Sequence, residues 1–238
     1  MDNLIKSFKS LKWYEWIMII VMVAIAGWKV VESVFNLNPS ADPNWLAIVN
    51  FISGICGIIC IFFCAKASVS NYVFGLVNTI VYVLFLIHDR IYGTLALELL
   101  VYLPLNIFGW IVWARNRDKQ DTEKTLSRKL TWWQDILSVI AVGFTGVICY
   151  FGLSKLGGAV PWLDAYIVAV GVIASMLQLF RFREQYIWWT VSNIVAVAMY
   201  IINFDPVYLT KKSIYFIMGI IGLYNWWKLQ KERNAENK

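Results

Sequence analysis

Tyr102-Leu-Pro-Leu-Asn106-Ile-Phe-Gly109-Trp110-Ile-Val-Trp113-Ala-Arg115 and Tyr215-Phe-Ile-Met-Gly219-Ile-Ile-Gly222-Leu-Tyr224-Asn225-Trp226-Trp227-Lys228 are two stretches of the same chain. Laid side by side without a gap, they share Tyr, Gly, Trp and a closing basic residue. Apolar positions agree by chance in any such comparison, so only these four carry weight. A second pair aligns upstream: Phe74-Gly-Leu-Val-Asn78 lies opposite Trp189-Thr-Val-Ser-Asn193, each an aromatic followed four residues later by Asn. The chain therefore reads as an internal repeat.

Each repeat is embedded in apolar blocks of roughly twenty residues, the length that crosses a bilayer core of about 30 Å. The 238-residue chain is 60% hydrophobic and 16% aromatic, with a mean hydropathy of +0.62. Soluble domains are nearer 45–50% apolar. In hydrocarbon the backbone must satisfy its own hydrogen bonds, so the blocks are expected to be helices. No ten-residue run alternates in polarity, as a membrane barrel strand would. Eight spans are expected: Trp13–Phe35, Trp45–Ala65, Val69–His88, Ile91–Trp113, Thr131–Leu153, Trp162–Phe182, Tyr186–Phe204 and Lys212–Leu229. The first is longer than a signal-peptide core and lacks a small-residue cleavage site.

The net charge is +6, and it reads as topology rather than nucleic-acid binding. With the N-terminus inside, sixteen Lys and Arg fall on inner segments. Four, Arg90, Lys155, Lys211 and Lys212, fall on outer ones. Both termini are expected in the cytoplasm. Trp13, Tyr14, Trp16, Trp45, Trp132, Trp133 and Trp162 stand at span ends as interface belts. The linker Arg115 to Lys129 carries both charge signs and no apolar face.

Three spans per half plus one linking helix give both halves the same orientation, a parallel repeat about the membrane normal. The expected organisation is residues 1–44 as N-terminus and extra helix and 45–114 as the first three-helix bundle. Residues 115–161 form the loop and linking helix, and 162–238 the second bundle and tail. The fold class is an all-α integral membrane protein with a path between the halves.

Polar side chains within spans face a bundle interior or a pathway. Gln185, Trp189 and Asn193 share one helix face, as do Phe74, Asn78 and Tyr82. Glu98, Tyr102 and Asn106 form a third stripe, and Tyr215 and Asn225 are the polar positions of the last span. Aromatic faces stack on rings and attract cations, and amides read hydroxyls and carboxamides. The stripes suit a flat, polar, neutral or cationic solute. Glu98 is the acid inside a span, where a charge costs roughly 2.5–3.5 kcal/mol on insertion scales. Three readings stand for it: a proton-coupling group, a partner for a cationic ligand, or a structural group near the outer interface bonded to a Tyr.

Catalysis and cofactors find no support. Cys56, Cys60 and Cys64 form one helix stripe without His or carboxylate company, so they read as packing residues rather than a metal site. His88, the single histidine, stands at a helix end. No phosphate-binding G-x-x-x-x-G-K loop is written here.

The Trp189-x-x-x-Asn193 motif, the Asn71-Tyr-Val-Phe-Gly75-Leu-Val-Asn78 stretch and the paired glycine–tryptophan helix ends resemble the PnuC family of bacterial vitamin transporters. The likeness runs from about Trp45 to Leu229. It implies a SWEET-like 3+1+3 core with one extra N-terminal helix, in the bacterial inner membrane. It also implies facilitated diffusion of nicotinamide riboside for NAD biosynthesis, with a cytoplasmic kinase trapping the product, and assembly as a homotrimer. No cofactor and no nucleic-acid partner are implied. By motif, Trp189 and Asn193 contact the solute, with Gln185 one turn earlier reading its carboxamide or ribose. The first half offers Phe74 and Asn78, with Phe in place of Trp. Family members also carry thiamine or riboflavin.

Overall fold

The computed structural model describes residues 2–38, 43–88, 95, 97–118, 121, 124–155, 161–202 and 206–236. Arg90, Lys119, Lys238, the start of the fourth span at Ile91 and the end of the seventh at Phe204 lie outside them. A short helix α1 (Asp2–Lys9) precedes α2 (Trp13–Val34), α3 (Asn44–Ala65), α4 (Asn71–His88), α5 (Leu103–Arg115), α6 (Trp132–Lys155), α7 (Pro161–Leu179), α8 (Gln185–Ile202) and α9 (Pro206–Glu236). Strand pairing among the described residues is confined to isolated bridges at the linker, such as Ser68 with Lys124 and Arg128 with Phe182. The molecule is an all-α, multi-pass membrane protein. Among the described residues, α2, α3, α4 and residues Trp132–Gly152 of α6 are long and apolar enough to cross a bilayer.

A π-helical turn, Glu98–Tyr102, leads into α5, and the Leu103 N–H bonds the Glu98 carbonyl. The cause is Pro104, which lacks an N–H and whose ring crowds the carbonyl four residues back. Widening the preceding turn relieves that crowding, and it redirects Glu98 and Tyr102.

Helices α3, α4 and α5 repeat as α7, α8 and α9, with α6 between them. Both α3–α4 and α7–α8 connect through a left-handed residue, Ala67 (φ 57°) and Arg181 (φ 67°). The linker runs across both turns: the Thr125 N–H donates to the Ala67 carbonyl, and the Arg128 N–H to the Arg181 carbonyl, each at 2.8 Å. At this linker end the Trp113 indole N–H donates to the Gln178 carbonyl (2.8 Å). The Trp226 indole N–H donates to the Cys64 carbonyl (2.9 Å). Each tryptophan thus bonds the last turn of a helix in the opposite half. Their ring centroids lie 5.4 Å apart. Tyr72 stands edge-on to Trp113 and Tyr186 edge-on to Trp226. These tyrosines lie against Gly109 and Gly222, where an added Cβ would collide with their rings.

This geometry sets the repeat one residue away from the alignment read from aromatic identity. With Ala67 equivalent to Arg181 and Tyr72 to Tyr186, Trp189 stands opposite Gly75 and Asn193 opposite Thr79. The left-handed turn and the tyrosine-on-glycine contact determine the register; Phe74 aligns with Trp188.

Helix α2 packs on α3 and α9 through Met22, Ala26, Ile58, Phe62, Ile214 and Met218, all buried. Its first turn is tied down by the buried Glu15, whose carboxylate pairs with Lys66 at 2.6 Å. Helix α1, absent from the sequence expectation, tucks beneath the first half. Ser7 and Ser68 hydroxyls bond at 3.0 Å, and Lys6 pairs with Asp121 of the linker at 2.8 Å. Burial pushes the Asp121 carboxyl up, but Lys6 and Lys124 outweigh it and hold the group below its usual value. Helix α6 packs on α7 through Val142, Val170 and Ile173, leaving a wide apolar face exposed.

Gly222→Ala is expected to destabilise the protein by about 1–3 kcal/mol, the usual range for overpacking. Gly143→Ala in α6, where nothing lies within 4 Å of the new Cβ, should be neutral or stabilising because alanine is the better helix former. Thermal unfolding of the detergent-purified variants separates the two.

Candidate functional site

Between the halves, on the side of the tryptophan pair away from the linker, lies a cavity of about 570 Å³. Asn78, Tyr82, Glu98, Tyr102 and Asn106 line it from the first half, and Trp189 and Tyr215 from the second. Seven of the eleven stripe residues singled out in the sequence therefore meet here, whereas the Asn225 amide donates to the Ala65 carbonyl at 3.2 Å. Gln185 and Asn193 stand one turn to either side of Trp189, almost fully buried and outside the cavity's lining. Among the described residues, both amide atoms of Gln185 and Nδ2 of Asn193 find no hydrogen-bond partner. Phe74 lies elsewhere: its ring packs edge-on against Phe8 of α1 and Phe63 of α3.

The repeat shapes the cavity through two tyrosines that cross between halves. The Tyr102 hydroxyl of the first half fills the space over Gly171 in α7, and the Tyr215 hydroxyl of the second fills that over Gly57 in α3. Both positions need glycine because the phenol occupies the volume of a Cβ. The amides are oriented by their neighbours. Asn78 Oδ1 accepts the Ser53 hydroxyl at 2.8 Å, which fixes the orientation of the amide. Asn106 Nδ2 donates to the Thr79 hydroxyl at 3.4 Å, and its Oδ1 fills the space over Gly75. The equivalents therefore differ in use: Trp189 supplies an aromatic face where the first half has Gly75 covered by an amide.

Sequence reasoning missed several lining residues. The charge pattern puts Lys211 and Lys212 on an outer segment, with Lys212 opening the last span, but α9 begins at Pro206 and carries both in its second turn, where they line the cavity. Their ammonium groups lie 5.9 and 5.8 Å from the Tyr215 ring centroid. The signal available was spacing, since Lys211 precedes Tyr215 by one helical turn. Tyr208, stacked on Tyr200 at 5.3 Å, and Gln178 and Ser192 also line the wall. Aromatic faces, amides and hydroxyls thus dominate, with Glu98, Lys211 and Lys212 as the charged groups.

Residues 47–228 match a family model described as nicotinamide mononucleotide transporter. The chain is 32% identical over 213 residues to the nicotinamide riboside transporter PnuC of Neisseria mucosa, covering 85% of this chain and 78% of that one. It is 30% identical over 192 residues to the protein of the same name from Haemophilus influenzae, covering 80% and 83%. The riboflavin/roseoflavin transporter RibM of Streptomyces davaonensis is 28% identical over 140 residues, covering 57% and 64%. A crystal structure of the vitamin B3 transporter PnuC superposes with a TM-score of 0.73 at 28% identity, covering 94% of each chain.

Gly171→Ala and Gly57→Ala are each expected to drive a tyrosine hydroxyl out of its niche. Solute affinity should fall by about tenfold or more, equivalent to 1.4 kcal/mol, and calorimetric titration of the folded variants measures it.

Proposed function

The chain belongs to the nicotinamide mononucleotide transporter family, a family of membrane transporters rather than enzymes, and we propose that it carries nicotinamide riboside into the cell by facilitated diffusion. The observation that carries this reading is the cavity between the halves. Its volume of about 570 Å³ lies within the roughly 300–1,000 Å³ of small-molecule sites. Its wall offers one large aromatic face, Trp189, beside amides and phenols. In this reading Trp189 stacks on the pyridinium ring, and cation–π attraction adds to ring contact. Asn78, Asn106 and the hydroxyls of Tyr82, Tyr102 and Tyr215 read the ribose and carboxamide. The unpartnered amides of Gln185 and Asn193 turn toward the solute or toward waters that accompany it, because a buried amide without partners is costly.

Uniport fits a cavity in which Glu98 is the single acid among the lining residues. Phosphorylation by a cytoplasmic kinase would then supply the driving force by removing free solute. The charge distribution supports an inner-membrane topology with both termini and the linker in the cytoplasm. Self-association as a trimer would cover part of the apolar face of α6. Likeness to RibM keeps riboflavin as a second solute on the same scaffold, and thiamine as a third.

Titration calorimetry of the purified protein with nicotinamide riboside, thiamine and riboflavin tests the assignment. Nicotinamide riboside is expected to bind, and Trp189→Ala and Asn193→Ala should each weaken it by about tenfold or more, equivalent to 1.4 kcal/mol. Binding of riboflavin or thiamine alone would replace the solute, and binding of none would remove the function. In proteoliposomes, Glu98→Gln should transport with unchanged pH dependence; loss of a proton-driven component in that variant would replace uniport by proton coupling.

A further inference from the structure

Lys211 stands at a boundary. Besides the main cavity it lines a second, smaller one of about 200 Å³, bounded by α2, α3 and the start of α9. Among the described residues, Lys211 and Tyr208 are the two that face both. The Ser53–Asn78 hydrogen bond forms part of the wall between them, since Ser53 lines the smaller cavity and Asn78 the larger. The lysine's Cε passes Gly57 at 3.3 Å from where a Cβ there would stand, and Asn78 Oδ1 lies 3.4 Å from the same point. The lysine stem and the Asn78 amide thus flank the space over Gly57 that the Tyr215 hydroxyl fills.

Each cavity has one acid in its wall: Glu98 in the larger and Glu32 in the smaller. Glu32 is held by Lys29 at 2.9 Å and by the Trp28 indole at 2.6 Å. Glu98 forms no ion pair among the described residues, and it shares the wall of the larger cavity with Lys211 and Lys212. Lys211 is likewise without a direct ion pair there. Charged groups within a membrane protein are costly unless they pair or serve a pathway. A lysine on a flexible four-carbon stem that lines both cavities, each with a carboxylate in its wall, has two places for its ammonium, the smaller one shared with Lys29.

Resting on the reading of the main cavity as the solute site, we propose that Lys211 selects the charge of the solute. In the empty transporter its ammonium stands in for a cation opposite Glu98. A cationic solute takes that place, and Lys211 withdraws toward the smaller cavity. Without withdrawal, a pyridinium ring would meet Lys211 and Lys212 together against one carboxylate. A neutral solute of the same shape needs no such exchange.

Nicotinamide riboside and its reduced 1,4-dihydro form share a shape and differ in ring charge. Their dissociation constants, measured on the same preparation of the full-length protein, give a ratio that does not depend on the fraction of protein folded. Lys211→Met is expected to shift that ratio about tenfold in favour of the cation, as removal of one nearby like charge in a partly shielded site should. Lys211→Arg should keep the wild-type ratio. Glu98→Gln, with the lysine intact, should shift the ratio the other way, and it provides the test should Lys211→Met not fold. A ratio unchanged in Lys211→Met, or moved toward the neutral form, overturns the proposal while leaving the cavity's function in place. If the wild-type protein binds neither form, the reading of the cavity falls first and this proposal with it.

Discussion

Two indole hydrogen bonds hold the architecture together. The last carbonyls of a helix have no partner further along it, and in hydrocarbon nothing else would supply one. Cys64 and Gln178, in the last turns of α3 and α7, each accept an N–H from their own turn, at Ala67 and Arg181. Each then takes an indole N–H from the opposite half as a second partner. A carbonyl has two lone pairs, so both bonds fit. Because Trp113 comes from the first half and Trp226 from the second, the bonds cross and tie the helix ends of each half to the other.

The rest follows from that crossing. Tyr72 and Tyr186 brace the indoles edge-on, and they fit only because Gly109 and Gly222 leave room. With the halves clamped at the linker end, the space between them opens beyond the clamp. There Tyr102 and Tyr215 cross in turn, each laying its hydroxyl over a glycine of the other half. The linker fastens both left-handed turns to one strand-like segment. Asymmetry is then added locally: α1 sits beneath the first half through Ser7 and Lys6, and α2, tied to Lys66 by Glu15, packs on both α3 and α9 with no counterpart in the second half. Within the cavity, Trp189 occupies the position that in the first half is Gly75.

Much of the site was legible because helix periodicity places residues four apart on one face. Glu98, Tyr102 and Asn106 on one stripe, and Asn78 with Tyr82 on another, all reach the cavity. Phe74 fails for a physical reason. Aromatic identity pairs it with Trp189, whereas backbone handedness at Ala67 and Arg181 sets the true equivalents one residue away. One residue on a helix is about 100°, enough to turn a side chain from the cavity to the α1 cluster. Lys211 and Lys212 were hidden because charge marks a loop in hydropathy patterns, and only a helix starting at Pro206 carries them inward.

The sequence by itself determined that this chain is a bundle of membrane-crossing helices in two like halves, because hydrocarbon permits few ways to satisfy a backbone. It also named the Gly–Trp helix ends and the family they resemble. Only the tertiary structure decided which partner each tryptophan takes, where the register of the repeat lies, and that Lys211 borders two cavities. Those outcomes depend on contacts between residues far apart in the chain, whose distances no local pattern encodes.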